Sequence, residues 1–474
     1  MSVSGFSRPE FRLWPTLETP ESLKIALDAA HQSNAAAVGF YNYGHLHLSA
    51  LDRIERQTDR ERRLRKTING TLRSGAKNSG DRLSSQGHEE ETELYDLILK
   101  GGRVMDPAQN LDAPRDVAFT NGKVAAIGAD LPVDSARQTR DVRGKIVTPG
   151  LIDLHTHVYW GGTSLGVDAD PIARRSGTTT FIDAGSAGAG NFAGFRKHVI
   201  ERSVPRILAY INVSFAGIYA FSKHVMVGEC GDMRLVHPHE CLRVARDNLD
   251  VLVGVKARIG AKAGGNSGLA PLHLAIEVAD QLGLPVMAHI DMPPPSQREV
   301  LNILRPGDVL THCFRPFPLA PVHADRSIRE EVLAARDRGV IFDIGHGYGG
   351  FSFDSCRAMM EQGIMADAIS SDVHALCVDG PAHDLLSVMS KFLALGMPLP
   401  EVIRATTQNV AKAIRREDLG TFAVGAAGDA TILEMRNETV EHVDVVGQVV
   451  RSDEQLASSG MVIAGEWWPD PQDA

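Results

Sequence analysis

The feature that most constrains this chain is an apolar segment ending in two histidines one residue apart, residues 149–157 (PGLIDLHTH). Side chains alternate between the two faces of a β-strand, so His155 and His157 are expected to point the same way from the end of one strand. Neutral imidazole is a common ligand of transition metals. A lone His-x-His pair is as typical of two surface histidines as of a metal site, so further ligands are needed to decide.

Seven further apolar segments follow this strand, and segments with helical patterning lie between them, for example residues 271–282, 327–338 and 384–395. Strands that alternate with helices predict an α/β fold with a parallel sheet. Eight such units predict a closed (β/α)8 TIM barrel, in which the chemistry lies at the carboxyl ends of the strands. The later strand ends carry Lys256 on the fourth, His289 on the fifth, His312 on the sixth, His346 on the seventh and Asp372 on the eighth.

From about Leu94 onward the chain resembles the amidohydrolase superfamily, in the branch with a two-metal centre bridged by a carboxylated lysine, which includes dihydroorotases and hydantoinases. It is most similar to the amidohydrolase/deacetylase subgroup, which includes an acetyl-(R)-mandelate esterase. The segments that carry this resemblance are residues 157–163 (HVYWGGT), 183–188 (DAGSAG), 254–258 (GVKAR), 311–314 (THCF), 343–347 (DIGHG) and 370–374 (SSDVH).

The resemblance implies a complete set of metal ligands. His155, His157 and Asp372 would hold the inner ion, His289 and His312 the outer ion, and Lys256, carboxylated on its side-chain nitrogen, would bridge the two. An ammonium group cannot bind a metal, whereas a carbamate presents two anionic oxygens. Zinc is the expected metal because the ligands are rich in imidazole, with manganese or iron as alternatives.

Each candidate ligand also has an ordinary structural explanation. Lys256 alone would be interpreted as a cation paired with an acidic neighbour, and His289 or His312 alone as a buried, hydrogen-bonded histidine. The joint pattern of six residues at the strand ends favours the metal site.

The activity implied by the resemblance is hydrolysis of an amide or ester, of the deacetylase or acyl-hydrolase type. A hydroxide shared by the two ions would attack the carbonyl, and Asp372 would accept the proton and deliver it to the leaving group. The predicted substrate is a small molecule that bears a carboxylate.

Four residues near the predicted ligands are candidate substrate contacts. Arg258 lies two residues beyond Lys256 on the same strand face and could clamp a carboxylate with two hydrogen bonds, although a salt bridge holding a loop is the alternative. Tyr159 could form a wall of the pocket or pack beneath the loop. His346 and His374 end the seventh and eighth strands and could contact the substrate.

Two rival functions are weighed against the acyl hydrolase. A cyclic-amide hydrolase of the dihydroorotase or hydantoinase type would use the same metals, but dihydroorotases carry an arginine two residues after the His-x-His pair, where this chain has Tyr159. A non-catalytic relative would serve as a scaffold, but such relatives lose metal ligands. The retained ligands and the missing arginine favour the acyl hydrolase.

Composition narrows the class of protein further. The 474 residues suit a large barrel with a smaller unit, and the formal net charge of −10 disfavours nucleic acid as a partner. No apolar run is long enough to predict a membrane span. The five scattered cysteines predict reduced thiols in a cytoplasmic protein, and Cys313 is expected to pack on the strand face opposite His312. We also expect a homo-oligomer.

The sequence predicts four regions. Residues 1–92 would form an N-terminal extension that includes a flexible linker, without an assigned function. Residues 93–149 and 418–474 have short strands and turns and, by the resemblance, would together form a β-sandwich beside the barrel. The barrel itself would span residues 150–417.

Overall fold

The structure is a computed structural model, and the part described is residues 94–468. The N-terminal extension predicted over residues 1–92 lies outside the described residues. Among the described residues, no helix combines the length and the apolar character needed to cross a membrane.

The first described region is a set of short strands. A tight turn at Asn121 and Gly122, both with positive φ (52° and 74°), joins two of them into a hairpin, as the Asn-Gly sequence favours. The five strands are β1 (Tyr95–Asp106), β2 (Leu111–Thr120), β3 (Lys123–Gly128), β4 (Ala136–Asp141) and β5 (Ile146–Pro149).

The central element is a seven-stranded sheet whose strands lie side by side in chain order. Every pairing in it is parallel. All the carboxyl ends therefore meet at one edge, as predicted from the alternation of strands and helices. The strands are β6 (Leu151–Thr156), β7 (Thr178–Gly188), β8 (Arg206–Asn212), β9 (Leu252–Ile259), β10 (Val286–Ile290), β11 (Val309–Leu310) and β12 (Ile341–Phe342).

The eighth predicted strand is present only as isolated parallel bridges, Asp343 with Ala368 and Thr156 with Val373. The first bridge follows β12 and the second involves the end of β6, so this segment lies between the two edge strands. The sheet is therefore curled, and Asp372 lies beside His155, whose carbonyl accepts the Asp372 N–H at 2.7 Å.

The inner face of the curled sheet forms its own apolar cluster, separate from the larger one packed against the helices. Ile152, Ile182 and Leu208 contribute from the first three strands, and Met287 and Val309 from β10 and β11. Apolar side chains from strands across the sheet pack together in this one cluster. They therefore fill the inner face below the polar carboxyl ends of the strands.

Helices cover the outer face of the sheet. The three predicted helices are observed with bounds within a few residues of those expected. The α-helices are α1 (Ala169–Ser176), α2 (Phe192–Phe195), α3 (Pro238–Arg246), α4 (Ala270–Leu282), α5 (Gln297–Ile303), α6 (Glu330–Asp337), α7 (Phe353–Glu361), α8 (Leu385–Ala394), α9 (Leu399–Arg404) and α10 (Gln408–Ala413). A π-helical turn continues α2 over Arg196–Ile200.

The C-terminal strands return to the first sheet. β13 pairs antiparallel with β5, so both flanks of the central region share one eight-stranded sheet. Residues 443–450, within the region predicted to contribute to the β-sandwich, lie in a separate two-stranded hairpin of β14 and β15. The strands are β13 (Ala430–Arg436), β14 (Val440–Val443), β15 (Val449–Ser452), β16 (Gln455–Ile463) and β17 (Glu466–Trp468).

Candidate metal centre

The six predicted ligands line one cavity, partly open to solvent, at the carboxyl edge of the central sheet. Two predicted placements differ in detail. Lys256 lies within β9 and does not end it, and His312 follows the two-residue strand β11. The residues that line the cavity are His155, His157, Leu165, Phe221, Lys256, Arg258, His289, His312, Asp372 and His374.

His155, His157 and Asp372 form the inner half of the cavity. The Nε2 atoms of His155 and His157 lie 3.3 Å and 3.4 Å from the same atom, Asp372 Oδ1. The two rings are 5.4 Å apart between centroids. The His-x-His alternation thus brings two imidazole nitrogens and one carboxylate oxygen together at one point.

The opposite ring nitrogen of His155 is held by a hydrogen-bond chain. His155 Nδ1 lies 2.7 Å from the Thr311 hydroxyl, which donates to Asp343 Oδ2 at 2.7 Å. Because that hydroxyl uses its proton on Asp343, it accepts from Nδ1–H of His155. The Nε2 of His155 therefore carries the lone pair and faces the cavity, as a metal ligand requires.

His312 is fixed in the same way. Its Nδ1 donates to the carbonyl oxygen of Gly345 at 2.6 Å, so its Nε2 also carries the lone pair. This Nε2 lies 2.7 Å from Nδ1 of His289. Two ring nitrogens that converge so closely could bind one ion between them, and together they form the outer half of the cavity.

The buried atoms without hydrogen-bond partners test whether this residue set fits metal ions. They include Lys256 Nζ and Asp372 Oδ1. Buried polar atoms are rarely left unpaired, and a bound ion is one reason for the exceptions. Single donor atoms of His155 and Asp372 in the inner half and of His312 in the outer half lie within 4.8 Å of one another, close enough for metal ions to bind among them. The residues therefore fit a metal centre.

Burial sets the charge of these side chains. It lowers the pKa of His155, His157, His289 and His312, to about 3 for His157, so the imidazoles are neutral near neutral pH. Burial also lowers the pKa of Lys256 to about 7, although Asp372 opposes the shift. A neutral imidazole can bind a metal, and a neutral amine can react with CO2, whereas their protonated forms cannot.

The backbone around the ligands is strained and closely packed. His312 and Asp372 both adopt a left-handed conformation, with φ of 60° and 48°, which non-glycine residues rarely adopt and which is concentrated at functional sites. A Cβ atom on Gly345 would lie 2.3 Å from Thr311 Oγ1 and 2.8 Å from His312 Nδ1. Glycine at this position allows the backbone that follows β12 to approach the side chains of Thr311 and His312.

Arg258 lines the cavity but already has a partner. Its guanidinium donates to Glu229 Oε2 at 3.1 Å and lies over the ring of Phe221, 5.1 Å from the centroid. Glu229 is fully buried. The salt-bridge alternative from the sequence is thus the observed contact, and Glu229 and Phe221 are site residues that the sequence analysis missed.

The three other candidate contacts differ in position. His374 lines the cavity, with its ring 5.8 Å from that of Phe221. Tyr159 packs on Phe195 at 4.6 Å between centroids, and its hydroxyl donates to the Asn191 carbonyl. This is the packing alternative. His346 is absent from the cavity lining, and its Nε2 lies 2.8 Å from the ammonium of Lys391.

Comparison with known proteins decides the family. No family model matches the sequence. A deacetylase of Agrobacterium fabrum is 34% identical over 346 residues, which cover 73% of this chain and 84% of the relative. The chain belongs to the amidohydrolase superfamily, in the group that includes this deacetylase.

Solved structures agree with this placement. A crystal structure of an adenine deaminase matches this amidohydrolase with a TM-score of 0.74 and 29% identity, covering 79% of this chain and all of that one. A dihydroorotase structure matches with a TM-score of 0.70 and 32% identity, covering 79% of this chain and 98% of that one.

Proposed function

We propose that this chain is a metal-dependent hydrolase of the deacetylase type, which removes an acyl group from the amide or ester of a small carboxylate-bearing molecule. The observation that carries the proposal is the convergence of four neutral imidazoles, Lys256 and Asp372 in one cavity, in a chain that is 34% identical to a deacetylase over most of its length. In this proposal the substrate is a small molecule that enters this cavity.

The scaffold in this proposal is a closed (β/α)8 barrel over residues 150–417, flanked by residues 93–149 and 418–474 as one β-rich unit. The two parallel bridges of the eighth segment and the single inner cluster support closure. The pairing of β13 with β5 supports the shared unit. We expect a homo-oligomer, which light scattering of the purified chain will test.

The proposed ligands divide between two divalent ions, with zinc expected and manganese or iron as alternatives. His155, His157 and Asp372 would hold one ion, and His289 and His312 the other. When bound, the ions would supply Lewis-acid activation of the attacking water and of the scissile carbonyl. The chain itself holds two of the ligands in fixed orientations. A hydrogen bond to Thr311 orients the ring of His155, and one to the Gly345 carbonyl orients the ring of His312.

Lys256 is proposed to carry a CO2-derived carbamate that bridges the two halves of the site. Its Nζ is fully buried without a hydrogen-bond partner, and burial lowers its pKa to about 7. A neutral amine reacts with CO2, and the carbamate would convert an unpaired nitrogen into two anionic oxygens. An ordinary buried ion pair is disfavoured because no carboxylate among residues 94–468 lies within salt-bridge distance of this nitrogen.

Asp372 is proposed as the acid–base residue. It is the carboxylate that lines the cavity, and burial raises its pKa to about 6, against the opposing effect of His374 and Lys256. A carboxylate with a pKa near the working pH can accept the proton of the attacking water and then deliver it to the leaving amine or alcohol.

The main alternative is a cyclic-amide hydrolase of the dihydroorotase type, which the dihydroorotase structure keeps open. The position that carries the substrate-binding arginine in dihydroorotases is Tyr159, and its hydroxyl bonds to the Asn191 carbonyl. The geometry thus favours the acyl hydrolase. A scaffold role is disfavoured because the whole ligand set is retained around one cavity.

A substrate panel tests the proposal. The metal-loaded protein is assayed with N-acetyl and O-acetyl carboxylates, hydantoins, dihydroorotate and adenine, before and after removal of metal with a chelator. We expect turnover of the acetylated carboxylates that depends on metal. Preference for a ring amide or for adenine would replace the proposal with the corresponding hydrolase, and metal-independent turnover would reject it.

A further inference from the structure

His374 lines the cavity but takes no part in the proposed chemistry. It follows the proposed ligand Asp372 by two residues, and only 4% of it is exposed. Its carbonyl accepts the N–H of Cys377 at 3.0 Å, and the next N–H along the chain, that of Ala375, donates to the Leu165 carbonyl at 2.9 Å. The backbone that carries the ring is therefore held in place on both sides.

The hydrogen bonding of the His374 ring decides which nitrogen carries the proton. Nδ1 accepts the backbone N–H of Leu376 at 3.1 Å, and a backbone N–H can only donate. Nδ1 therefore carries a lone pair, and the ring proton lies on Nε2. His155 and His312 have the opposite tautomer, with the proton on Nδ1 and the lone pair on Nε2. His374 thus presents a hydrogen-bond donor where these two ligands present lone pairs.

The donor on Nε2 is available to a ligand. Within residues 94–468 the hydrogen bond of the His374 ring is the one at Nδ1, and Nε2 has no partner. Nε2 is also absent from the sealed, unpaired atoms, which include Lys256 Nζ and Asp372 Oδ1. Since the rest of His374 is buried, this atom opens into the cavity that the residue lines.

The position of the ring separates His374 from the outer ligand pair. Among the four ligand histidines, its ring neighbours that of His157, at 6.2 Å between centroids. From His157 the rings continue to His155 at 5.4 Å, to His312 at 5.1 Å and finally to His289 at 4.6 Å. The scissile bond belongs between the inner and outer halves of the site, so a donor beyond the inner half meets another part of the substrate.

The surroundings of His374 suit a carboxylate attached to an apolar group. The ring of Phe221 stands edge-on to that of His374, 5.8 Å away, and the guanidinium of Arg258 lies over the same ring, 5.1 Å from its centroid. Glu229 holds Arg258 in this position at 3.1 Å. An apolar part of the substrate can pack on Phe221 while a carboxylate accepts the N–H of His374, and a charged acceptor makes the stronger hydrogen bond.

We propose that His374 donates its Nε2–H to the carboxylate of the substrate and so sets the preference for N-acyl amino acids and related acyl carboxylates. The proposal rests on the deacetylase function above and names the residue that recognises the group beside the scissile bond. Arg258, paired with Glu229, positions the Phe221 ring against which the substrate packs.

The test compares His374→Asn with wild type on the best acetylated carboxylate of the panel and its analogue without the carboxylate, for example N-acetylalanine and N-acetylethylamine. The asparagine oxygen can still accept the Leu376 N–H, as in an Asx turn, but no donor remains at the position of Nε2. We expect kcat/KM for the carboxylate to fall about 10–100-fold and that for the analogue to change by less than about 3-fold.

Two further variants control this comparison. His374→Gln can place its amide nitrogen at the position of Nε2 and should lose less than about 5-fold on the carboxylate. His198→Asn changes an exposed histidine in the π-helical turn after α2 and should behave as wild type on both substrates. Metal content is measured by mass spectrometry in every variant, and calorimetric titration of both compounds gives the same comparison where turnover is slow.

Three results would overturn the proposal: equal losses on both substrates, no loss on the carboxylate, or loss of bound metal in His374→Asn. They would leave the deacetylase function in place. Wild-type protein that is inactive on the whole panel would reject that function instead. Calorimetry then still decides on His374, because wild type should bind N-acetylalanine about 10–100-fold more tightly than His374→Asn. Equal affinities, or no binding by wild type, would reject its role.

Discussion

Replacing Gly345 by alanine tests whether the close approach of its backbone to the side chains of His155 and His312 is needed to form the metal site. A Cβ atom there would lie 2.3 Å from Thr311 Oγ1, 2.8 Å from His312 Nδ1 and 3.0 Å from His155 Nδ1. These are atoms of the hydrogen bonds that orient two proposed ligands, so the side chains of His155 and His312 must move.

The magnitude follows from two effects. Gly345 has φ of +48°, and alanine in this left-handed region costs about 1–2 kcal/mol. Overpacking adds about 1–3 kcal/mol. We therefore expect Gly345→Ala to lower the free energy of unfolding by about 2–5 kcal/mol. Disturbing the groups that orient metal ligands typically lowers metal affinity about 10–100-fold.

Gly363→Ala is the matched control. Gly363 also has positive φ, +76°, but an added Cβ atom would have nothing within 4 Å. It should lose only the conformational cost of about 1–2 kcal/mol and keep its metal affinity. Urea unfolding of the metal-free proteins and competition with a chromogenic chelator measure the two quantities. If Gly345→Ala bound metal as tightly as Gly363→Ala, the role assigned to this packing would be wrong.

Further predictions concern individual side chains. Lys256→Ala should lose both metals and nearly all activity, with partial rescue by short carboxylic acids, and normal metal content by mass spectrometry would refute the bridge. Burial lowers the pKa of Lys256 to about 7, so its amine is neutral above that pH and protonated below it. Reconstitution of the chelated protein with zinc and bicarbonate should accordingly be more complete at about pH 8 than at about pH 6, and an opposite trend would count against the carbamate. Asp372→Asn should reduce kcat by about 10²–10⁴-fold or more while retaining at least the outer metal, and turnover within a few-fold of wild type would assign the proton to another group. Arg258→Met leaves the buried Glu229 without its partner and should lower the unfolding free energy by about 3–5 kcal/mol, whereas a loss below about 1 kcal/mol would mean that the pair is exposed in solution.

Much of the candidate site could be predicted because its residues follow from local pattern. The His155 and His157 pair obeys strand alternation, and the later ligands come at or just after apolar runs. In a parallel sheet all such ends meet at one edge. Residues far apart in sequence therefore converge without any long-range signal being needed.

The contacts that decide between alternatives depend on long-range packing. Arg258 and Glu229 are 29 positions apart, and no local pattern marks Glu229, which lies in an irregular loop between β8 and α3. The sequence left two roles open for Tyr159, a pocket wall or a packing residue. The ring of Phe195 beside it favours packing.

The fold shows the same division. The seven strands of the central sheet were predicted from apolar runs, whereas the eighth segment forms only isolated bridges, and Asp372, which lies between them, has a left-handed backbone with φ of 48°. The hairpin of β14 and β15, within the region predicted as a β-sandwich, forms a two-stranded sheet of its own. A strand pattern specifies which residues are extended and leaves the partner strand undetermined.

The most direct test of the central claim is a titration of the chelated protein with zinc in bicarbonate buffer, following metal content by mass spectrometry and hydrolysis of an N-acetyl amino acid in the same samples. The account predicts that hydrolysis rises with bound zinc and reaches its plateau at about two ions per chain, the number expected for a binuclear site. Full hydrolysis by the metal-free chain, or a fully loaded chain that hydrolyses no acyl substrate, would contradict it.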